Sequence, residues 1–212
     1  MEKRATCRKH YKELRNAMTR EAVVEKSRQI CKQVLESEWY QHADMILGYY
    51  PLGNEVDCVP ILEQALKDGK RVSLPKTGKD CSMEFYEITS LTEDVIEGTF
   101  HIMEPKAGCQ IWNFTEESYC HIGEKTQDSA KGWTNAVVLV PGVVFDRDGN
   151  RYGYGRGFYD RYFTRFPELF RVALAYNMQI SEETLACLAT DVKMHLIVTE
   201  NEGDRDGIVG NL

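Results

Sequence analysis

Short apolar runs alternate with amphipathic segments of helical period along most of the chain. The apolar runs have the length expected of buried strands. They cover residues 45–49, 71–75, 83–88, 136–140, 170–176 and 196–200. The amphipathic segments predict helices over residues 3–17, 19–37 and 59–67, after Gly157, and from Ser181 onward. This alternation predicts the α/β class, with three layers (α/β/α) and a mainly parallel open sheet.

Residues suited to helix ends occur at several of these boundaries. Thr19 and Asp57 are predicted N-caps, and Gly69 is predicted to end the third helix. The helix after Gly157 places its aromatic residues on one face, which predicts that this face is buried. They are Phe158, Tyr159, Tyr162, Phe163 and Phe166.

Composition narrows the classes of function. The chain has 212 residues, a net charge of -7 and seven cysteines without a C-x-x-C pair. We expect one domain over residues 1–212, with a long inserted loop at about 106–134. The acidic charge argues against nucleic acid as a partner. Dispersed cysteines indicate reduced thiols and a cytoplasmic protein. We expect no signal peptide and no membrane span.

The segment from residue 140 to residue 160 has the strongest candidate chemistry. Gly153, Gly155 and Gly157 alternate with other residues just before a predicted helix. Backbone N–H groups in such a loop can approach a ligand closely, and the positive end of a helix dipole favours phosphate. Glycine-rich loops also join strands to helices without any ligand. The spacing is neither the dinucleotide fingerprint nor a Walker A motif.

Charged residues surround this loop. Arg151 and Arg156 add positive charge, and Asp160 falls in the first turn of the helix. Asp160 alone is explained as a residue that complements the helix dipole. Beside a phosphate, a bare carboxylate is repulsive unless a divalent cation bridges the two groups. The segment therefore predicts either no phosphate, or phosphate together with Mg²⁺ on Asp160.

The same segment contains V-P-G, F-D, G-N-R and G-Y-G-R-G-F-Y-D in this order within residues 140–160. This pattern resembles the signature of the 5-formyltetrahydrofolate cyclo-ligases, also called 5,10-methenyltetrahydrofolate synthetases. The resemblance covers nearly the whole chain outside residues 106–134, where typical relatives are shorter. It implies the same three-layer fold, with the small molecules ATP and 5-formyltetrahydrofolate as partners and Mg²⁺ as cofactor. We expect a monomer.

The resemblance also implies a set of ATP-binding residues. Arg4 and Arg8 stand at the basic positions of the first helix, where relatives usually have Lys at the first of the two. Without the resemblance, the basic face of this helix is explained as a solvated surface. Arg151 and Arg156 are the implied catalytic residues. The implied ATP-binding residues are Arg4, Arg8, Arg151, Tyr152, Gly153, Tyr154, Gly155, Arg156, Gly157, Phe158 and Tyr159.

Folate and metal contacts follow from the same resemblance. Asp160 and Asp191 are the implied Mg²⁺ ligands. Taken alone, Asp191 is explained as a turn residue, and Glu55 and Asp57 as parts of a solvated loop and a helix cap. The implied substrate-binding residues are Leu52, Glu55, Asp57, Tyr154 and Phe158.

The implied reaction is the cyclisation of 5-formyltetrahydrofolate to 5,10-methenyltetrahydrofolate, through a phosphorylated formyl oxygen, with release of ADP and phosphate. Two alternatives remain open from the sequence. One is a different ATP-dependent ligase or kinase that uses the same loop. The other is a non-catalytic protein that binds folate or nucleotide, although mere binding does not require a pair of metal ligands.

Overall fold

The computed structural model describes residues 2–78, 80–98, 102–112 and 135–201. Its helices are α1 (Glu2–Asn16), α2 (Arg20–Glu36), α3 (Glu38–His42), α4 (Val59–Lys67) and α5 (Phe158–Arg165). Its strands are β1 (Met45–Leu47), β2 (Arg71–Thr77), β3 (Met83–Ile88), β4 (Val95–Glu97), β5 (Met103–Pro105), β6 (Ala136–Val140), β7 (Val144–Asp146), β8 (Arg151–Tyr152), β9 (Phe170–Leu174), β10 (Ile180–Ser181) and β11 (Leu196–Val198).

A six-stranded sheet in the order β11-β9-β6-β1-β2-β3 forms the centre of the fold. The neighbouring strands from β11 to β2 pair in parallel, and β3 joins the edge in antiparallel orientation. The predicted α/β class and the mainly parallel sheet are confirmed. Because parallel strands end at one edge, the loops that follow β1, β6 and β9 meet there.

Each face of this sheet is covered by a separate hydrophobic cluster. Helices α2, α3 and α4 cover one face, where Ile30, Trp39 and Ile61 pack against alternate residues of the strands. Helix α5 covers the other face through Tyr162 and Phe163, which confirms its predicted aromatic face. The strands contribute side chains to both clusters, as expected for strands buried on two sides.

A smaller three-stranded sheet in the order β10-β7-β8 lies beside the main one. Its β7–β8 hairpin turns at residues 147–150. The buried carboxylate of Asp146 accepts hydrogen bonds from the amides of Asp148 and Asn150, from the Asn150 side chain and from the amide of Leu185. Asp146 therefore fastens both the turn and a distant segment of the chain.

Most predicted elements are present with shifted ends, and one prediction is wrong. No helix begins at Ser181 within the described residues, because Ile180 and Ser181 pair with β7 as strand β10. The Ser181 hydroxyl accepts the amide of Glu183 as a cap would, but the amide of Leu185, two residues later, is bound by Asp146. That long-range bond holds the segment in an extended form.

The structure also shows how the two ends of α4 are formed. Gly69 ends α4 with φ +75°; its own amide donates to the carbonyl of Leu66, and the amide of Lys70 donates to the carbonyl of Ala65. The N-cap of α4 is Cys58 and not Asp57, although the Asp57 carboxylate accepts the amide of Val59.

The first part of the predicted insert runs along the edge of the main sheet. The amide of Trp112 donates to Phe85, and the amide of Glu87 donates to Gln110. The Trp112 ring is buried in the cluster beneath α5. Residues 113–134 lie outside the described residues. Among the helices that the structure describes, none combines the length and the hydropathy required to cross a bilayer.

We predict that Asp146→Ala lowers the free energy of unfolding by roughly 3 kcal/mol or more, because it leaves several buried donors without an acceptor. Asp148→Ala, in the same turn but exposed, serves as the control and changes stability by less than about 0.5 kcal/mol. Urea unfolding of both variants provides the measurement. Equal stability of the two variants would contradict the role given to Asp146.

Candidate active site

The candidate site lies where the loops after β1, β6 and β9 meet helix α1. Asn54 of the loop after β1 donates to the carbonyls of Arg15 and Met18 at the end of α1. Gln179, which follows β9, donates to the carbonyls of Gly142 and Val143 after β6. These hydrogen bonds join the carboxyl edge of the sheet to α1, which carries the predicted basic residues.

The glycine-rich loop leads from β8 into α5. Gly155 and Gly157 have φ values of +95° and +67°, and Gly157 is the N-cap of α5 without a side-chain capping bond. A Cβ atom at Gly153 would lie 2.7 Å from a guanidinium nitrogen of Arg151. A Cβ atom at Gly155 would lie 3.5 Å from the guanidinium carbon of Arg8. The glycines thus allow two arginines to approach the backbone.

Arg151 and Asp160 form an ion pair at the base of this loop. Their Nη2 and Oδ2 atoms are 3.2 Å apart, and Arg151 is buried. The other carboxylate oxygen of Asp160 accepts the amide of Val192 at 3.2 Å. The sequence analysis gives Arg151 to phosphate and Asp160 to the metal. It does not predict that they pair with each other.

Asp191 lies beside Asp160, because it directly precedes Val192. Its Oδ2 atom is 2.9 Å from Nη1 of Arg4 and also accepts the amide of Leu188. The Arg4 guanidinium stacks 4.4 Å from the centre of the Tyr152 ring. The structure therefore brings the two predicted metal ligands together, each paired with an arginine predicted to contact ATP.

Helix α1 and Tyr154 line a cavity of about 330 Å³. Arg8, Lys9 and Lys12 contribute positive charge to its wall, and Glu13 contributes one negative charge. The Lys12 ammonium lies 4.8 Å from the centre of the Tyr154 ring. This cavity is suited to an anionic ligand, although the chain as a whole is acidic.

Glu55 and Tyr154 form the floor beside this cavity. The Tyr154 hydroxyl donates to Oε1 of Glu55 at 2.5 Å, and Oε2 of Glu55 accepts the amide of Leu52 at 2.8 Å. Glu55 is only 5% exposed, whereas Tyr154 is 39% exposed. Burial raises the pKa of Glu55, and the bond from Tyr154 and the charge of Arg15 oppose this shift. Burial and the Glu55 charge together raise the pKa of Tyr154 well above its usual range.

The remaining predicted residues surround this floor. Leu52 is exposed, and Asp57 lies at the start of α4. Phe158 begins α5 and is partly buried against the core. Arg156 is exposed and makes no ion pair with any residue that the structure describes.

Two predicted tyrosines have structural contacts. The Tyr152 hydroxyl donates to the carbonyl of Ala186. Tyr159 packs against the core cluster, and burial raises its pKa well above the usual range. Its ring lies 5.5 Å from the Arg151 guanidinium. Both tyrosines therefore stabilise the two ends of the glycine-rich loop through contacts within the protein.

The sequence analysis overlooks the contacts of Arg15. Arg15 shares a face of α1 with Arg4 and Arg8 at helical spacing. This spacing is the feature of the sequence that could have indicated a role for Arg15 in the site. Unlike Arg4 and Arg8, Arg15 is buried. In the described part of the chain, no group of three or more His, Cys, Asp or Glu side chains is arranged to hold a metal.

The fold and the site define an open-sheet α/β protein with a cationic ligand site at the carboxyl edge of its strands. A family model described as the 5-formyltetrahydrofolate cyclo-ligase family matches residues 1–200. The chain therefore belongs to this family.

Named relatives agree with this assignment. A probable 5-formyltetrahydrofolate cyclo-ligase from Caenorhabditis elegans is 26% identical over 95% of this chain and 94% of its own. One from Schizosaccharomyces pombe is 28% identical over 80% of this chain and 81% of its own. The NMR structure of Aquifex aeolicus 5,10-methenyltetrahydrofolate synthetase superposes with a TM-score of 0.74 at 27% identity, covering 94% of this chain and 90% of that one.

Proposed function

We propose that this protein catalyses the ATP- and Mg²⁺-dependent cyclisation of 5-formyltetrahydrofolate to 5,10-methenyltetrahydrofolate, with release of ADP and phosphate. The observation that carries the proposal is the joint placement of Arg4, Arg8, Arg151, Asp160 and Asp191 around the glycine-rich loop of a chain in this family. Anionic phosphates and a divalent cation together match this mixture of charges.

The proposed reaction requires activation of a poorly reactive group. A formamide carbon is a weak electrophile, and its oxygen is a poor leaving group. Transfer of the γ-phosphoryl group of ATP to the formyl oxygen solves both problems. N10 then attacks the carbon, the ring closes and phosphate departs. Phosphoryl transfer depends on alignment and charge neutralisation and needs no nucleophilic side chain from the protein.

The ATP phosphates are assigned to the arginines and the loop backbone. Arg4, Arg8, Arg151 and Arg156 would bind phosphate oxygens, with Arg151 and Arg156 closest to the transferred group. The amides of residues 152–159 would donate to the same oxygens, helped by the positive end of the α5 dipole. The exposure of Arg156 and the position of Arg8 over Gly155 support this assignment.

The carboxylates of Asp160 and Asp191 fit Mg²⁺. This ion is commonly held by one or two carboxylates together with substrate phosphates and water, so a pair of ligands suffices. When bound, Mg²⁺ would neutralise charge that develops on the phosphate oxygens. The arginines that now pair with these carboxylates would turn toward the phosphates. The exchange replaces each ion pair by a new one and leaves no charge unpaired.

The folate is assigned to the floor of the site. Leu52 and Phe158 would contact its apolar parts. Tyr154, Glu55 and Asp57 would meet its polar edge, because carboxylates and hydroxyls accept the N–H donors that a pterin ring presents. In the described structure, the half-exposed Tyr154 donates to the buried Glu55, so the folate would meet Tyr154 and Glu55 as a bonded pair.

We also propose that the protein acts as a cytoplasmic monomer on small molecules, with no nucleic-acid or membrane partner. The six cysteines that the structure describes are free thiols, which supports a reducing compartment. The acidic net charge supports the exclusion of nucleic acid.

ADP release with and without 5-formyltetrahydrofolate tests the reaction directly. We expect ADP only when ATP, Mg²⁺ and 5-formyltetrahydrofolate are all present, with matching growth of the near-ultraviolet absorbance of 5,10-methenyltetrahydrofolate. ADP release without this absorbance would indicate a different ATP-dependent enzyme. Binding of both ligands without ADP would indicate a non-catalytic protein.

Replacement of either proposed metal ligand tests the Mg²⁺ assignment. We predict that Asp160→Asn and Asp191→Asn each lower kcat by about 100-fold or more at saturating Mg²⁺, because charge neutralisation at the phosphates is lost. Circular dichroism would show an intact fold, since an asparagine oxygen can still accept the backbone amides. Asp44→Asn, at the amino end of β1, is the matched control. Wild-type turnover in both site variants would exclude the assignment.

The glycine-rich loop provides a second test. We predict that Gly155→Ala raises KM for ATP by about tenfold or more, since it strains a positive-φ backbone and places a Cβ atom in contact with Arg8, in the space proposed for the phosphates. Gly108→Ala is the control, because Gly108 also has positive φ but lies in open space. Both variants share backbone strain, so only a specific effect on ATP separates them. A similar KM for ATP in the two variants would contradict the role of Gly155.

A further inference from the structure

Arg15 is a buried cation that the proposed reaction does not use. Arg15 is 4% exposed, and its guanidinium is already hydrogen-bonded to groups of the protein itself. A buried charge is expensive unless it is paired and hydrogen-bonded. The contacts of Arg15 therefore indicate what it does.

Three segments of the site converge on this guanidinium. Nη1 donates to the carbonyl of Gly142 at 3.0 Å, and Nη2 donates to the hydroxyl of Tyr154 at 2.5 Å. Nη1 also lies 3.8 Å from Oε1 of Glu55. Arg15 thus joins α1, the end of β6, the glycine-rich loop and the loop after β1.

The direction of these hydrogen bonds indicates the protonation state of Glu55. Because an arginine can only donate, the Tyr154 hydroxyl accepts from Arg15 and is left to donate to Glu55. Oε1 of Glu55 accepts this bond and Oε2 accepts the amide of Leu52, so both oxygens are acceptors, which favours the ionised carboxylate. The backbone of Glu55 is held as well, since the Tyr176 hydroxyl donates to its carbonyl.

We propose that Arg15 is a positioning residue for folate, which keeps Glu55 ionised and Tyr154 oriented beneath the bound substrate. This inference rests on the proposed function, in which Glu55 and Tyr154 meet the polar edge of the folate. Arg15 does not touch the substrate and acts through these two side chains.

The electrostatics of Glu55 support the proposal. Burial raises the pKa of Glu55, and Arg15 is a cation that opposes this shift. The titratable groups around Glu55 are Lys12, Arg15, Tyr49, Cys58, Tyr154, Tyr159 and Tyr176. Burial raises the pKa of the four tyrosines and of Cys58, so these groups stay neutral near neutral pH. Glu55 is therefore the group whose titration follows the loss of Arg15.

The pKa of Glu55 sets the pH range in which folate affinity declines. Folate affinity that needs the Glu55 carboxylate is complete above its pKa and declines as the pH falls through it. Removal of Arg15 raises this pKa further, because an opposite charge at this separation lowers a carboxyl pKa by roughly 1–3 units. The decline then occurs at a higher pH.

Arg15→Met is the direct test, with kcat and both KM values measured between about pH 5 and pH 9. We expect KM for 5-formyltetrahydrofolate to rise about tenfold or more at neutral pH, while KM for ATP changes less than about twofold. We expect the acid limb of kcat/KM for folate to move up by roughly 1–3 pH units. Arg15→Lys, which keeps the charge, should recover most of the affinity. Arg28→Gln, an exposed arginine of α2, is the control.

A purely structural role for Arg15 predicts different results. It would lower the active fraction, and hence kcat, with no displacement of the pH profile and equal effects on the two substrates. The combined variant Arg15→Met with Glu55→Gln removes both charges and so restores stability to a fold that one unpaired charge weakens. We expect this variant to keep the high KM for folate and to lose the acid limb.

Two outcomes would overturn the inference. One is an Arg15→Met enzyme with the wild-type KM for folate and an unmoved pH profile. The other is an Arg15→Lys enzyme as defective as Arg15→Met. Equilibrium dialysis with 5-formyltetrahydrofolate separates this result from failure of the proposed reaction. A wild-type protein that binds folate without turnover refutes the reaction, while the Kd of each variant still decides the role of Arg15. If the wild type does not bind folate, both proposals fail.

Discussion

The pairing of buried or half-buried arginines with carboxylates is the constraint on which this site depends. Arg151 pairs with Asp160, Arg4 with Asp191, and Arg15 lies beside Glu55. A carboxylate removed from water must have a cation or hydrogen-bond donors nearby, and so must a guanidinium. The carboxyl edge of the sheet satisfies both requirements at once. Loops from distant parts of the chain are joined there by ion pairs in addition to apolar contacts and neutral hydrogen bonds.

The local clustering of basic side chains explains how an acidic protein can present a site for anions. The net charge of -7 is distributed over the whole chain, whereas the cavity beside α1 contains Arg8, Lys9 and Lys12. Local potential, and not net charge, determines where an anion binds.

Local patterns in the sequence predicted the main sheet and most helices, and they failed where a distant contact decides the structure. The apolar run of β6 and the aromatic face of α5 are strong periodic signals, and both elements are present. The segment after Ser181 resembles a helix start, but Asp146, on a strand far away in the sequence, binds the amide of Leu185. A cap residue alone does not specify a helix when a distant acceptor competes for the same backbone.

For the site as well, local features could be predicted from the sequence and long-range contacts could not. The glycines and the basic face of α1 are visible in the sequence, because spacing along one element is local information. The partner of each charge is not visible, because Arg4 and Asp191 come together only when the sheet brings α1 and the segment before β11 to one edge. Glu55 shows the same limit. Its loop predicted a solvated carboxylate, whereas Tyr154 covers it and Arg15 lies beneath. Burial therefore gives this carboxylate a dependence on its neighbours that an exposed one would lack, since solvent screening weakens exposed pairs.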